Sequence, residues 1–213
     1  MPIQPVTANL PLPLIFLALL LAPAAAEAGK YNPVLDIGDK APAWKDLPGV
    51  DGKNHSLSDL KDKSVVVVVF TCNSCPYAVD YEDRLIDFAK AHTAEDKDVA
   101  LVAINVNKVP ADRLEKMKER AEEKGFNFPY LYDDTQQLAK DYGATYTPEF
   151  FVLNKDRQIA YMGAFDDNTM ADKVTETYVP TAVAAALKNE KPEVTETVAR
   201  GCTIRWERRR QRD

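Results

Sequence analysis

Two cysteines separated by two residues, Cys72 and Cys75, carry the clearest chemistry in this 213-residue chain. That spacing brings two sulfurs within disulfide reach across one turn. Such a pair can cycle between dithiol and disulfide, bind Cu(I) through soft thiolates, or form half of a zinc site. A tetrahedral zinc site needs four ligands. The remaining candidates are Cys202, His55 and His92, and neither histidine has metal-pair spacing to anything. The redox reading therefore leads, with no metal at the site. Cys72 is expected to lie exposed as the attacking thiolate. Cys75, one turn further in, is expected to be more buried and to close the ring.

The segments on either side explain why these cysteines are reactive candidates. Val65 to Phe70 is an unbroken apolar, mostly β-branched run, which reads as a central strand buried on both faces. From Pro76 to Ala91 the pattern is helical, with Val79, Ile86 and Ala89 on one side and Leu85 and Phe88 beside them. Pro76 fits because it lies in the first turn. The pair thus sits at a helix N-terminus, where unpaired N–H groups favour a thiolate and lower a cysteine pKa. Asp80, Glu82 and Asp83 follow closely and push the other way. A second element is Thr147-Pro148. A proline opening a strand cannot donate a ladder hydrogen bond and belongs at an edge or loop. With a cis peptide bond there, the backbone of Thr147 would face solvent beside the cysteines and could pair with an extended substrate.

The rest of the chain supplies a scaffold. Tyr31 to Lys63 is rich in turn signals and reads as a short hairpin arm. Val99 to Val106 is a second buried strand. Ala111 to Lys124 is an exposed, charged helix stopped by Gly125, Phe126 to Tyr132 is extended, and Thr135 to Tyr142 is a helix stopped by Gly143. Glu149 to Leu153 and Gln158 to Met162 form a hairpin about the turn Asn154 to Arg157, and Ala171 to Leu187 is the last helix. This order gives an α/β fold with a central mixed sheet flanked by helices. Asp166, Asp167 and Asn168 read as a turn.

Hydrophobic residues at 46% and charged residues at 28% suit a globular domain, and the net charge of −6 argues against nucleic acid as a partner. Leu10 to Ala22 is an apolar run too short to span a bilayer comfortably, followed by small residues through Ala28. It reads as a secretory signal cleaved after Ala26 or Ala28, although no Lys or Arg precedes it. The expected divisions are 1–28 signal peptide, 31–190 main domain, and 191–213 an extension holding Cys202 and a basic tail of Arg205, Arg208, Arg209, Arg210 and Arg212. Membrane contact is expected only through the signal segment or that tail.

The motifs fall in a familiar order. Gly38-Asp39-Lys40-Ala41-Pro42-Ala43-Trp44, Asp51-Gly52-Lys53 and Ser56-Leu57-Ser58-Asp59-Leu60-Lys61 ahead of the valine run resemble the opening of the redoxins. That group includes the AhpC/TSA peroxiredoxins and the TlpA/ResA-type exported thioredoxins. Phe70-Thr71-Cys72-Asn73-Ser74-Cys75-Pro76-Tyr77, Tyr81-Glu82-Asp83-Arg84-Leu85, Thr147-Pro148-Glu149 and Gly201-Cys202-Thr203-Ile204-Arg205-Trp206 resemble peroxiredoxin-like members that carry a thioredoxin-type C-x-x-C. The resemblance covers about residues 34–207. It implies a thioredoxin fold with Pro148 as the cis-proline and a C-terminal segment docked on the body through Trp206.

The departures bear on function. Peroxiredoxins surround the peroxidatic cysteine with P-x-x-x-T-x-x-C and a distant Arg. With Cys75 in that place, the Pro and Thr positions hold Val68 and Cys72, and the Arg would fall near Pro148. The buried Asp of thioredoxins, six residues before the first cysteine, corresponds to Val66. Glu149 is then a candidate general base by its proximity to Pro148. Cys202 reads as a small buried hydrophobe, as a resolving or regulatory thiol for Cys72 or Cys75, or as an intermolecular bridge. The leading function is an exported thiol–disulfide oxidoreductase with Cys72 and Cys75 catalytic, Thr147 and Pro148 binding substrate, and Glu149 and Cys202 accessory. The alternatives are a thiol peroxidase, a Cu(I) chaperone, and a non-catalytic protein with a permanent disulfide. Expected partners are protein or small-molecule thiols and disulfides and an electron donor; no cofactor is implied.

Overall fold

In a computed structural model, the described residues are Met1, 29–94 and 97–207. Residues 2–28 of the segment read as a signal, and residues 208–213 of the basic tail, lie outside them. In chain order the elements are β1 (Leu47–Pro48), β2 (Asn54–His55), β3 (Val65–Phe70), α1 (Pro76–His92), β4 (Val99–Asn105), α2 (Leu114–Lys124), β5 (Tyr130–Tyr132), α3 (Gln137–Asp141), β6 (Tyr146–Thr147), β7 (Glu149–Leu153), β8 (Ile159–Gly163), α4 (Tyr178–Leu187) and β9 (Cys202–Thr203). The main sheet runs β5-β4-β3-β7-β8. Strands β3, β4 and β5 are parallel, and β7 and β8 add antiparallel to β3. This mixed sheet and its helices are the expected thioredoxin fold. The N-terminal arm is present as the β1–β2 hairpin.

The valine run works as the sheet's centre because it is apolar at every position. All six residues of β3 are fully buried. Val65, Val67 and Val69 pack under α1 and α4 with Tyr81, Leu85, Phe88, Val179 and Val183. Val66, Val68 and Phe70 face the other layer, with Trp44, Leu57, Leu138, Tyr142 and Phe151. Each such side chain stabilises the fold by roughly 1.5–3 kcal/mol relative to exposure. Two apolar layers hold β3 in register, so the residues after Phe70 leave the sheet at a fixed place. Cys72 is in that exit.

Helix α1 begins where expected: Cys75 is its N-cap and Pro76 its first residue. Its buried face differs. Ala78, Tyr81, Glu82, Leu85, Phe88 and Ala89 are buried, whereas Val79 and Ile86 lie at the margin. Glu82 is buried on this face despite its charge. Its carboxylate is buried by pairing with Arg120, whose Nε and Nη2 donate at 2.9 and 2.6 Å.

Two helices begin later than their patterns suggest. Helix α4 starts at Tyr178 instead of Ala171. Pro180 explains this, because a proline excludes helix around the residue four earlier, here Glu176. A single 3-10 turn, Ala171–Lys173, is all that forms upstream. Helix α2 starts at Leu114 instead of Ala111, after a 3-10 turn over Pro110–Asp112. Arg113 takes an extended conformation with ψ of 155°. The cause is Asp112, which turns inward toward the cysteines. Gly125 closes α2 at φ 67°, as its position implied. Asp166 is more than a turn residue: it is buried, accepts the Tyr81 hydroxyl at 2.8 Å and pairs with Arg84.

Candidate active site

The Thr147–Pro148 peptide bond is cis. It presents Thr147 to both thiols at once. The Cys75 thiol donates to the Thr147 carbonyl at 2.9 Å, and Cys72 Sγ lies 3.4 Å from Thr147 Oγ1. Cys72, Cys75, Thr147 and Pro148 are thus brought together from the β3–α1 and β6–β7 junctions. The expected difference in exposure is absent: Cys72 is 3% exposed and Cys75 is 1% exposed.

The cover is the chain's own C-terminal segment. Strand β9 pairs antiparallel with β6, in register Tyr146↔Thr203 and Thr147↔Cys202. The edge expected to receive a substrate strand is therefore occupied, and Thr147 is 1% exposed. The Cys202 N–H points at Cys75 Sγ, 3.4 Å away. Gly201 is required here: a Cβ on it would sit 2.1 Å from the Thr147 carbonyl oxygen. Beyond β9, Ile204 N–H donates to Thr145 O and Arg205 N–H to Asn107 Oδ1, both at 2.9 Å. Glu207 N–H reaches Gln136 Oε1 at 2.8 Å. The apolar anchor is Ile204, buried in the second core layer. Trp206, expected in that role, stays exposed with Lys140 over its ring.

The residue that sequence reasoning missed is Asp112. It is fully buried. Its Oδ1 accepts the Ser74 N–H at 2.8 Å, and its Oδ2 accepts the Ser74 hydroxyl at 2.6 Å and Asn107 Nδ2 at 3.2 Å. Asn105 Nδ2 donates to its backbone carbonyl. Asn73, the other residue between the cysteines, donates through Nδ2 to the Ala111 and Lys116 carbonyls at 2.9 and 3.0 Å and accepts from Tyr130 at 3.0 Å. Both residues between the cysteines are therefore tied to the β4–α2 connection. The one sequence signal was Pro110, two residues before Asp112 and immediately before the run read as helix.

The electrostatics differ from a simple helix-terminus argument. Burial pushes the Cys72 thiol above its ordinary value; hydrogen bonds from Thr147 and Ser74 oppose this, and the Asp112 charge reinforces it. The acid that acts on Cys72 is thus Asp112, not Asp80, Glu82 or Asp83. Glu82 is paired with Arg120, and Asp83 with Lys124 at 2.8 Å. Burial, then a hydrogen bond with Cys75 and the charges of Cys75 and Cys72, push Cys202 up to about 11.

Glu149 lies next to the cis-proline, but its carboxylate turns back on the loop. Its Oε2 accepts the backbone N–H groups of Thr145 and Tyr146 at 2.8 and 2.9 Å. Burial raises its pKa, and those two N–H groups limit the rise. It holds the loop that presents Thr147 instead of contacting a thiol. The histidines are elsewhere. His55 pairs with Asp51 in the hairpin arm. His92 ends α1, about 25 Å from Cys75 at 1.5 Å rise per residue.

A buried C-x-x-C at a helix start, against a cis-proline on a mixed five-stranded sheet, defines a thioredoxin-fold thiol protein. The Redoxin family profile matches residues 36–179, and the chain belongs to that family. It is 34% identical to a solved uncharacterized protein of Geobacillus kaustophilus, covering 83% of this chain and 95% of that one at a TM-score of 0.75. A solved hypothetical protein of Sinorhizobium meliloti is 32% identical, with 83% and 97% coverage and the same TM-score of 0.75. Among curated proteins, a peroxiredoxin-like protein of Mycobacterium tuberculosis is 33% identical over 50% of this chain and 63% of its own length. The thiol-disulfide oxidoreductase ResA of Geobacillus thermodenitrificans is 26% identical over 58% and 66%. The chain spans less than two thirds of the length of either curated relative.

Proposed function

We propose that this protein is a thiol–disulfide oxidoreductase whose redox couple is Cys72–Cys75. The observation that carries this reading is Thr147, which sets its hydroxyl against one thiol and its carbonyl against the other. In the reaction, the Cys72 thiolate attacks a substrate disulfide and releases one substrate thiolate, which takes a proton. Cys75 loses its proton and attacks Cys72 Sγ, releasing the second substrate thiol. Two electrons pass to the substrate, and the Cys72–Cys75 disulfide remains.

The test is single-turnover reduction of a small aromatic disulfide by the fully reduced protein. Wild type should release two equivalents of thiol. In a Cys202→Ser background, Cys75→Ser should stop at the mixed disulfide with one equivalent, and Cys72→Ser should lose the reaction. Full turnover by Cys72→Ser would overturn the reading.

A thiol peroxidase is the second reading, supported by the peroxiredoxin-like relative. Against it stand Val68 and Cys72 at the Pro and Thr positions, and the absence of an arginine near Pro148 in the sequence. A peroxide rate above that of a free thiol would favour it. The positions of His55 and His92 weigh against a copper site that needs a histidine beside the pair. Export is part of the proposal and rests on the apolar run and the small residues that follow it; sequencing the N-terminus of secreted protein tests it.

A further inference from the structure

Cys72 and Cys75 are both buried beneath the C-terminal segment. Cys202 is partly exposed and belongs to the same cluster. Its position is built on several contacts. The β6–β9 pairing fixes its register, its N–H points at Cys75 Sγ at 3.4 Å, and Gly201 allows the close approach. Ile204 and the backbone bonds of Ile204, Arg205 and Glu207 keep the segment seated.

We infer that Cys202 is a third redox thiol, which carries the disulfide from the buried pair to the surface where an external dithiol reduces it. This rests on the redox reading of Cys72–Cys75. After turnover, Cys202 loses its proton and attacks Cys75 Sγ. The Cys75–Cys202 bond forms as the Cys72–Cys75 bond breaks, and Cys72 leaves as the thiolate and takes up a proton. No electrons are gained or lost in this step. The first thiolate of the external dithiol then attacks the accessible Cys202 Sγ and expels Cys75 as a thiolate. The second donor thiol closes the donor's own disulfide and releases Cys202. Two electrons and two protons pass from donor to protein. Oxidation of the pair also helps the first step, because a disulfide-bonded Cys75 is a poorer acceptor for the hydrogen bond that holds the proton on Cys202.

The experiment oxidises the full chain with one equivalent of diamide, quenches in acid, alkylates the remaining thiol and maps the disulfides by mass spectrometry. Trypsin releases Cys202 on the peptide Gly201 to Arg205, separate from the peptide that holds both other cysteines. The expected result is a Cys75–Cys202 cross-linked peptide with the alkyl label on Cys72 in a fraction of molecules. A Cys72–Cys75 disulfide alone, with all label on Cys202, would overturn the inference and leave the function intact. No disulfide among the three would overturn both. A kinetic arm uses Cys202→Ser: reduction of its oxidised pair by dithiothreitol should slow by about tenfold or more, and an unchanged rate contradicts the relay.

Discussion

Asp112 accepts two hydrogen bonds from Ser74, one from the backbone N–H at 2.8 Å and one from the hydroxyl at 2.6 Å. The two residues are 38 positions apart. The clamp fixes the turn between the cysteines and sets a negative charge near Cys72, opposing the thiolate. In Asp112→Asn that charge is gone while the side chain keeps its shape. Cys72 should then ionise more readily, and its alkylation at about pH 7.5 should accelerate roughly three- to tenfold. The lost charge-assisted bonds should cost about 1–3 kcal/mol in urea unfolding. Alkylation that is unchanged or slower would show that Asp112 does not act on Cys72.

Gly201→Ala tests the C-terminal cover. A Cβ there collides with the Thr147 carbonyl at 2.1 Å, and the neighbour is backbone. The segment must lift. Stability should fall by about 1–3 kcal/mol, and Cys75 should become open to alkylation in the folded protein. Retention of wild-type stability and Cys75 protection would mean that β9 does not shield the pair.

Glu149 gives a pH signature. Burial raises its folded pKa above the unfolded value of about 4.3. Its contribution is then fully present below that unfolded value and is lost as pH rises through the folded one. Gln keeps an oxygen for the Thr145 and Tyr146 N–H groups without the charge. Glu149→Gln should therefore gain stability relative to wild type as pH rises above about 4. A difference that stays flat, or moves toward wild type, contradicts the assignment.

Much of this arrangement is legible locally. The valine run specifies β3, Pro76 specifies the start of α1, and Gly125 its neighbour's end. The order of motifs points to the cis-proline. What escapes local reading is long-range: the Asp112 clamp on Ser74, and the pairing of Thr147 with Cys202, 55 residues apart. Asp112 carries no period or motif of its own, and it breaks the very helix that the pattern of residues 111–124 suggests. Pro180 did hold the information needed to place the start of α4, since its ring excludes an earlier one. Burial of both thiols is likewise invisible in the order of residues, because the cover comes from the far end of the chain.

The central claim is that Cys72 and Cys75 form a reversible two-electron couple. The most direct measurement equilibrates Cys202→Ser protein against graded dithiothreitol and glutathione buffers and counts alkylatable thiols by mass. The account predicts one transition in which Cys72 and Cys75 lose their labels together, fitting a two-electron curve with a tenfold change in equilibrium constant per about 30 mV. Labels retained on both cysteines across the whole range, or lost independently, would contradict it.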